Sequence, residues 1–281
     1  MLVDYDILNL ARQCINTPHF TTRDEDTRSG VGHRSCLGAS ITWDITTHGI
    51  PLIYLRRLFT DQLVGELAAF IAGDTTQEAF NRKGCTFWDP WAKNGSFGPI
   101  YGKQWDLPRL YQNLRDNPHS RQHVTCAWPT VSSSDTLSDM VLPPCHFAFQ
   151  VHVYKNYGLN HMSLTWFQRS CDVLIGLPYN IASYAVLLCL LAREHNCVPH
   201  MVTGLISDAH VYDNQHEGFV KWKNRWTNGI DTYKPVHLTI GDVPSTTDRD
   251  AWKALDKSAL SKLIVFDGYN PGSHISIPVT V

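Results

Sequence analysis

Cys145 is the residue best suited to covalent chemistry in this chain. It follows Pro143 and Pro144 and precedes His146, where a loop passes into a predicted strand. Because proline restricts the backbone, the thiol is held in one position, which suits nucleophilic attack. The thiolate is the reactive form, and positive neighbours stabilise it. The pattern also fits an ordinary core cysteine, the more common role in a chain that is 43% hydrophobic.

Arg169 is the second candidate, within residues 168–172 (Gln-Arg-Ser-Cys-Asp). We predict this segment on the strand opposite Cys145, where a buried charged side chain needs an anion as partner. Arg28 and Arg121, both in predicted loops, could converge with Arg169. Guanidinium groups meeting at one point would form a phosphate site, because each binds phosphate oxygens in pairs. Scattered surface arginines are the alternative interpretation.

Metal binding is not indicated by the sequence. His195, Cys197 and His200 lie close together, but their spacing matches no common zinc pattern. Three aromatic residues lie among glycine, proline and aspartate; aromatic residues more often belong to the core, but this setting supports the wall of a cleft more than usual. They are Trp88, Trp91 and Tyr101.

The strands that must hold these residues follow from hydrophobic periodicity. Alternating apolar and polar residues over 146–154 predict one strand, residues 157–160 a turn, and residues 161 to about 173 a second strand. This hairpin would bring Cys145 and Arg169 together. Further strands are predicted over residues 201–206, 236–240 and 263–266.

Helices are predicted around these strands. Apolar residues at helical spacing predict one helix over residues 2–15 and a long, mostly buried helix over residues 180–194. Thr60 or Asp61 would cap a third helix, which Gly73 would end. Irregular backbone is expected over residues 23–32 and 92–102.

The composition of the chain bounds its class. Its 281 residues, with a formal net charge of −2, fit a single α+β domain with a substantial mixed sheet over residues 1–281. The near-neutral charge argues against nucleic acid as the main partner. No apolar run is long enough to span a membrane. The eight cysteines form no CxxC pair and are predicted to be reduced, as in the cytosol.

Taken together, these segments resemble the thymidylate synthase family over nearly the whole chain. Residues 142–146 (Leu-Pro-Pro-Cys-His) match its nucleophile motif, and residues 168–173 with residues 176–184 match its signature. Further matching blocks are residues 87–92 (Phe-Trp-Asp-Pro-Trp-Ala), 98–105 (Gly-Pro-Ile-Tyr-Gly-Lys-Gln-Trp) and 208–212 (Asp-Ala-His-Val-Tyr). Several independent motifs in the family's order make the resemblance specific.

The resemblance implies a thymidylate synthase-like α+β domain with a large mixed β-sheet flanked by helices, and a homodimer that packs sheet against sheet. It implies transfer of a one-carbon unit from 5,10-methylenetetrahydrofolate, the co-substrate, to carbon 5 of dUMP. Thiolate addition at carbon 6 would make carbon 5 nucleophilic toward the methylene group. The implied location is the cytoplasm, of a host cell if the protein is viral, with no membrane and no metal involved.

Roles for individual residues come with the resemblance. Cys145 would be the nucleophile, and Glu66 would organise proton transfer through a water network lined by Tyr101 and His146. The catalytic set is completed by Arg169 and Asn180. The nucleotide would be bound by Arg28, Gln168, Arg169, Ser170, Asp172, Asn180, His210 and Tyr212, and by Arg121 reaching across from the partner subunit. The folate would contact Trp88, Trp91, Asp172 and Val281.

Four departures from the family pattern suggest a divergent branch, such as a viral one. Gln122 stands where a second arginine is usual, and Ser207 stands where a glycine usually precedes the Asp-x-His-x-Tyr block. Ala69 replaces a tryptophan, and Gln215 replaces a histidine. The substitution at Gln122 affects a phosphate contact, whereas those at Ala69 and Ser207 could admit water to the site.

The family also contains pyrimidine hydroxymethylases, found in phages that modify their DNA, in which water replaces hydride in the last step. Asn180 can donate to a uracil carbonyl and accept from the N3 proton, whereas the cytosine branch has aspartate there. Asn180 therefore favours dUMP. Trp88 and the apolar tail of residues 277–281 favour a site closed to water, as hydride transfer requires.

We therefore predict dTMP and dihydrofolate as products. The alternative is a dUMP hydroxymethylase that makes 5-hydroxymethyl-dUMP and tetrahydrofolate for phage DNA modification. A binding protein on this fold, for example one that grips RNA, is a third hypothesis. The near-neutral charge and the intact candidate residues Cys145, Arg169, Asn180 and Glu66 argue against it.

Overall fold

The computed structural model of the chain describes residues 3–27, 29–129, 134–228 and 234–280. The helices are α1 (Val3–Asn16), α2 (Ile45–His48), α3 (Thr60–Ala72), α4 (Gln77–Arg82), α5 (Leu107–Asp116), α6 (Gly176–Glu194), α7 (His216–Thr227), α8 (Arg249–Ala254) and α9 (Lys257–Leu263). The strands are β1 (Phe20–Thr22), β2 (His33–Asp44), β3 (Val124–Cys126), β4 (His146–Asn156), β5 (Leu159–Gln168), β6 (Cys171–Asp172), β7 (Val198–Tyr212), β8 (His237–Ile240) and β9 (Ile264–Asp267).

Most of the strands form one mixed sheet. Its order is β1-β2-β7-β5-β4-β3, and β6 also pairs with β7. β5 and β6 run parallel to β7, whereas the other neighbours are antiparallel. β8 and β9 form a separate antiparallel pair. The predicted α+β class with a large mixed sheet and flanking helices is confirmed.

The long helix α6 forms the centre of the core. It is long and apolar enough to cross a membrane, but 72% of that stretch is buried inside the protein, as in a core helix. Its Tyr184 stacks on Trp166 of β5, with ring centroids 5.2 Å apart. Trp166 in turn lies against Gly204 of β7, where an added Cβ would stand 2.3 Å from the indole. Only glycine allows this close approach of strand, indole and helix.

The predicted hairpin of β4 and β5 is confirmed. Its turn consists of Tyr157 and Gly158, with φ angles of 48° and 81°, the left-handed backbone that a two-residue hairpin turn requires. A bulge interrupts the pairing between His146 and Ala148. Regular alternation would place His146 on the face opposite Phe149. The bulge instead turns the imidazole into the core, where it is 9% exposed.

The second predicted strand, residues 161–173, is broken in the structure. β5 ends at Gln168, and a bend at Arg169 and Ser170 precedes the short β6. The Arg169 N–H donates to the carbonyl oxygen of Cys145 at 2.8 Å, which extends the antiparallel pairing of β4 and β5 by one residue beyond His146 and Gln168.

Other boundaries also differ from the predictions. The helix predicted over residues 180–194 begins earlier, at Gly176. The cap predicted at Thr60 or Asp61 is wrong: Thr60 is the first helical residue and no side chain caps the helix. Asp61 is instead paired with Lys257 at 2.6 Å. Gly73 ends this helix as predicted, with a left-handed φ of 69°.

Candidate active site

The Cys145 thiol is fixed through its own backbone. Its N–H donates to the hydroxyl oxygen of Tyr101 at 2.9 Å, and its carbonyl oxygen accepts the Arg169 N–H. Cys145 is half-buried, and its Sγ lies 3.9 Å from Nη2 of Arg169. The structure therefore brings thiol and guanidinium together, as the hairpin spacing predicts.

Arg169 reaches this position in a different way from the one predicted. It is exposed at the bend, not buried on a strand. Its Nε donates to the Pro144 carbonyl at 3.0 Å and its Nη2 to the Pro143 carbonyl at 2.8 Å. The two proline carbonyl oxygens together orient the guanidinium. Since a guanidinium has five N–H donors, others remain for an anion.

Two aromatic side chains form the wall behind the thiol. Tyr101 has a left-handed φ of 36°, and its ring stacks on Phe70 at 4.7 Å and lies 4.4 Å from the His146 ring. His146 Nδ1 is hydrogen-bonded to the Tyr184 hydroxyl at 2.9 Å. Burial lowers the pKa of His146 to about 3 and raises the pKa of Tyr101 well above its ordinary value. Both groups are therefore neutral near pH 7.

Glu66 of α3 adds a carboxyl group to the same wall. Burial raises the pKa of Glu66 to about 7, although the Trp88 indole N–H, which donates to Oε1 at 2.7 Å, acts in the opposite direction. A carboxyl group that titrates near neutral pH can accept a proton and return it. Trp88 is only 7% exposed, and its N–H is used by Glu66.

A small cavity connects these groups to α6. Its volume is about 10 Å³, which is roughly the space that one buried water occupies. Its lining residues are Glu66, Leu67, Phe70, Trp105, His146, Asn180, Ser183, Tyr184 and Leu187. Carboxyl, imidazole, amide and hydroxyl groups thus converge on a single water-sized space.

Replacing Glu66 by glutamine is expected to change how stability depends on pH. The carboxyl group ionises near pH 4.5 in the unfolded chain and near pH 7 in the folded protein. Between these values the folded state holds a proton that the unfolded state has lost, so the free energy of unfolding falls as pH rises. Glutamine does not ionise, so Glu66→Gln removes this fall in the free energy of unfolding, which amounts to about 3 kcal/mol above pH 7.

Urea unfolding of both proteins between about pH 4 and pH 8 measures this effect. Relative to wild type, the Glu66→Gln variant should gain stability as pH rises. Asp4, whose pKa burial raises to about 6, titrates in the same range but in both proteins, so its effect cancels in the comparison. A stability difference that stays constant across this range would contradict the assignment.

A chain of hydrogen bonds fixes the orientation of Asn180. The Trp166 indole N–H donates to Gln168 Oε1 at 2.9 Å, so the other end of this amide must be its NH2 group. That group donates to the Ser170 carbonyl at 3.0 Å and to Asn180 Oδ1 at 3.1 Å. The Asn180 oxygen therefore faces Gln168, and its NH2 group is directed away from it.

Asp172 is held at the start of α6. Its Oδ1 accepts the N–H groups of Leu174 and Ile175 at 3.0 and 2.9 Å, and its Oδ2 accepts from Gln215 Nε2 at 2.6 Å. Burial raises the pKa of Asp172, while these hydrogen bonds lower it. The carboxylate is thus oriented by three donors from two separate segments.

His210 and Tyr212 lie together at the end of β7. Their ring centroids are 5.0 Å apart, and His33 of β2 lies 5.1 Å from His210. His210 Nδ1 is 3.3 Å from Asp208 Oδ1. Burial favours a higher pKa for Asp208, but the bond to His210 outweighs it and the pKa is lowered. Asp208 therefore orients the His210 ring.

Two nucleotide candidates lie between strands. Ser170 is half-buried in the bend beside Arg169. Arg121 is exposed ahead of β3, where its carbonyl oxygen accepts from Gln150 Nε2 at 2.8 Å. In the described parts of the chain, no hydrogen bond or ion pair joins the Arg121 side chain to Arg169 or Ser170.

The folate candidates are only partly described. Trp91 packs edge to face on Trp88, with ring centroids 6.2 Å apart. Val281, like the nucleotide candidate Arg28, lies outside the described residues.

The structure adds residues to which the sequence analysis gave no role in the site. Tyr184 bonds His146, Trp166 fixes the Gln168 amide, and Gln215 bonds Asp172. Tyr184 could have been found, because it follows Asn180 by four residues and so shares its helix face. Gln215 was noted only as a departure from the family pattern, and no local sequence signal identifies Trp166.

A second, wider cavity among the described residues does not contain Cys145. Its volume is about 520 Å³, and its lining includes Arg57, Phe59, Asp61 and Lys257. Its lining contains no cysteine, and its Asp61 and Lys257 pair with each other. The chemistry is therefore better assigned to the site formed by Cys145 and Arg169 with Tyr101, His146 and Glu66.

Comparison with known protein families gives one match. A sequence model described as "Thymidylate synthase" matches residues 6–281, nearly the whole chain. The matched range contains every candidate site residue named above. Within the described residues, no group of three or more His, Cys, Asp or Glu side chains could hold a metal ion.

Proposed function

The chain belongs to the thymidylate synthase family, and from that membership we propose that it methylates dUMP to dTMP, with dihydrofolate as the second product. At the family level the chain is a one-carbon transferase that uses methylenetetrahydrofolate and dUMP. The observation that carries the proposal is the Cys145 thiol beside the Arg169 guanidinium, with Sγ and Nη2 3.9 Å apart.

Cys145 would start the reaction by adding to carbon 6 of the pyrimidine. A cation at the distance of Arg169 favours the thiolate, the nucleophilic form. The Tyr101 hydroxyl and the Arg169 N–H hold the backbone on both sides of the thiol. This leaves little freedom for the nucleophile, so its attack pays a small entropic cost.

Glu66 would move the protons that the later steps require. Removal of the carbon 5 proton needs a base of moderate strength, and the pKa of about 7 suits that task near neutral pH. The neutral His146 and Asn180 line the same water-sized cavity. A water there would connect Glu66 to the pyrimidine without placing a second charge in the site.

The phosphate of dUMP would be bound by Arg28, Arg169 and Ser170, with Arg121 contributed by the partner subunit. Arg169 suits this role because it is exposed and still has free donors. A homodimer is supported by the outer face of the sheet, opposite the core helix α6. There Leu205 is 43% exposed and Thr203 is half-buried.

Asn180 would select uracil. Its oxygen is held by Gln168, but an amide oxygen has a second lone pair for the N3 proton, and its NH2 group can donate to a carbonyl. Cytosine offers an amino donor and an N3 without a proton, so polar groups would stay unpaired. We propose this residue as the determinant of base specificity.

Replacing Asn180 by aspartate should shift preference toward dCMP. A carboxylate can only accept when ionised, which matches the amino group of cytosine but not the carbonyl of uracil. We expect kcat/KM for dUMP to fall by about two orders of magnitude or more relative to dCMP. Competition between the two nucleotides, followed by chromatography, measures the ratio. An unchanged preference for dUMP would show that another residue selects the base.

Methyl rather than hydroxymethyl transfer is supported by the two departures that could have admitted water. Ala69 is completely buried, and Ser207 is exposed on the outer face of β7. Neither side chain lines the small cavity beside Glu66. The hydroxymethylase remains the second candidate, since both enzymes would share every step up to the transfer of the one-carbon unit.

Release of tritium from dUMP labelled at carbon 5 tests the proposed enzyme directly. Either one-carbon transfer requires loss of this proton, whereas an RNA-binding protein would leave it in place. We expect release that depends on methylenetetrahydrofolate. Binding of dUMP without release of tritium would contradict catalysis.

We also propose that the reaction takes place in the cytoplasm, as a soluble enzyme.

A further inference from the structure

Gln215 joins three segments that the proposed reaction must coordinate. Its side chain is completely buried. Nε2 donates to Asp172 Oδ2 at 2.6 Å and to the Pro278 carbonyl oxygen at 3.2 Å, and Oε1 accepts the Tyr212 N–H at 3.2 Å. Both protons of the amide and its oxygen are thus in use, each toward a different segment.

The C-terminal tail lies along α7 and is anchored up to Pro278. Arg225 Nη2 donates to Ser273 Oγ at 2.7 Å. Ile277 is buried against Gly218, where an added Cβ would stand 2.6 Å from Ile277 Cγ1. Beyond Pro278, Val279 is 52% exposed. Among the described residues, the bond from Gln215 to Pro278 is the hydrogen bond of the tail nearest the C-terminus.

We propose that Gln215 is a positioning residue that couples the C-terminal tail to Asp172. This inference rests on the proposed function, together with the folate contacts that the family resemblance implies for Asp172 and the tail. The NH2 group of Gln215 donates to both Asp172 and Pro278. When the tail moves and Pro278 no longer accepts, Gln215 is held less firmly against Asp172. When Asp172 binds another partner, the hydrogen bond that holds the tail is weakened in turn. Folate binding at Asp172 and closure of the tail are thereby linked, and the linkage is reciprocal.

Gln215→Met tests the coupling, because methionine fills a similar volume without hydrogen bonds. Hydrogen exchange of the peptide covering residues 272–281, measured without substrates, should become faster by about tenfold. The KM for methylenetetrahydrofolate should rise by about tenfold or more, and several times more than the KM for dUMP, although Gln215 also contacts the nucleotide candidates Asp172 and Tyr212. A merely structural role would raise both KM values by the same factor.

Arg225→Met is the matched control. It removes the bonds of Arg225 to Ser273 and to the Leu55 carbonyl oxygen but leaves Asp172 untouched. Where the two variants speed up tail exchange equally, Arg225→Met should therefore raise the folate KM less than Gln215→Met does. Equal effects of the two variants would mean that only tail mobility matters, which would overturn the coupling.

Asp172→Asn tests the same link from the other end and serves if Gln215→Met does not fold. Asparagine keeps Oδ1 for the two backbone N–H groups but places an NH2 group against Gln215. Tail exchange should become faster in this variant, without substrates. A tail as protected as in wild type would overturn the inference. Hydrogen exchange needs no substrate, so it tests the coupling independently of activity. If wild type were inactive but the tail of the variant exchanged faster, the proposed function would be refuted and the coupling would stand.

Discussion

Replacing Cys145 by alanine is expected to abolish turnover while nucleotide binding persists. In the proposed mechanism the Cys145 thiolate forms the bond to carbon 6, and water cannot replace a thiolate fixed beside Arg169. Binding depends on the phosphate and base contacts, which the substitution leaves in place. Release of the carbon 5 proton should therefore fall below detection, and the affinity for dUMP should change by no more than about threefold.

Cys171→Ala is the matched control for this experiment. Cys171 lies just beyond the bend at Arg169, but it is completely buried and burial raises its pKa well above the ordinary value. A folded Cys171→Ala variant should retain turnover. Proton release by Cys145→Ala at even a tenth of the wild-type rate would refute Cys145 as the nucleophile.

Deleting Val281 is expected to lower the rate of dTMP formation by orders of magnitude, with nucleotide binding nearly intact. Hydride transfer requires that water be excluded from the reacting carbon. The tail preceding Val281 is apolar, and it is anchored through Ile277 and Pro278. Val281 would then complete the cover over the folate, while the phosphate and base sites lie elsewhere.

The absorbance change on forming dihydrofolate gives the rate, and dUMP affinity is measured separately. Val281→Leu, which keeps the chain length and the apolar end, is the control and should retain most of the activity. If the deletion variant formed dihydrofolate at a rate within about threefold of wild type, the tail would not act as a cover.

The sequence predicted the hairpin around the nucleophile well because its signal is local. Alternation over β4 and the Tyr157–Gly158 turn determine which strands pair. The bulge at His146 escaped prediction, because it changes only one residue in an otherwise regular pattern. Strand β2 was not predicted, since its polar residues obscure the alternation over His33–Asp44.

Contacts between distant segments account for the rest. Cys145 and Arg169 could be placed together from a hairpin, whereas Gln215 meets Pro278 across a separation of 63 residues. Periodicity carries no information about such a pair. The family resemblance supplied the candidate residues, but the orientation of the Asn180 amide through Trp166 and Gln168 required the structure.

Mass analysis of the nucleotide formed from dUMP and methylenetetrahydrofolate tests the central proposal most directly. The proton lost from carbon 5 is the same for both candidate reactions, but the products differ by one oxygen atom. We expect the mass of dTMP, with dihydrofolate formed in equal amount. A product heavier by one oxygen, together with tetrahydrofolate, would contradict methyl transfer and identify the enzyme as a hydroxymethylase.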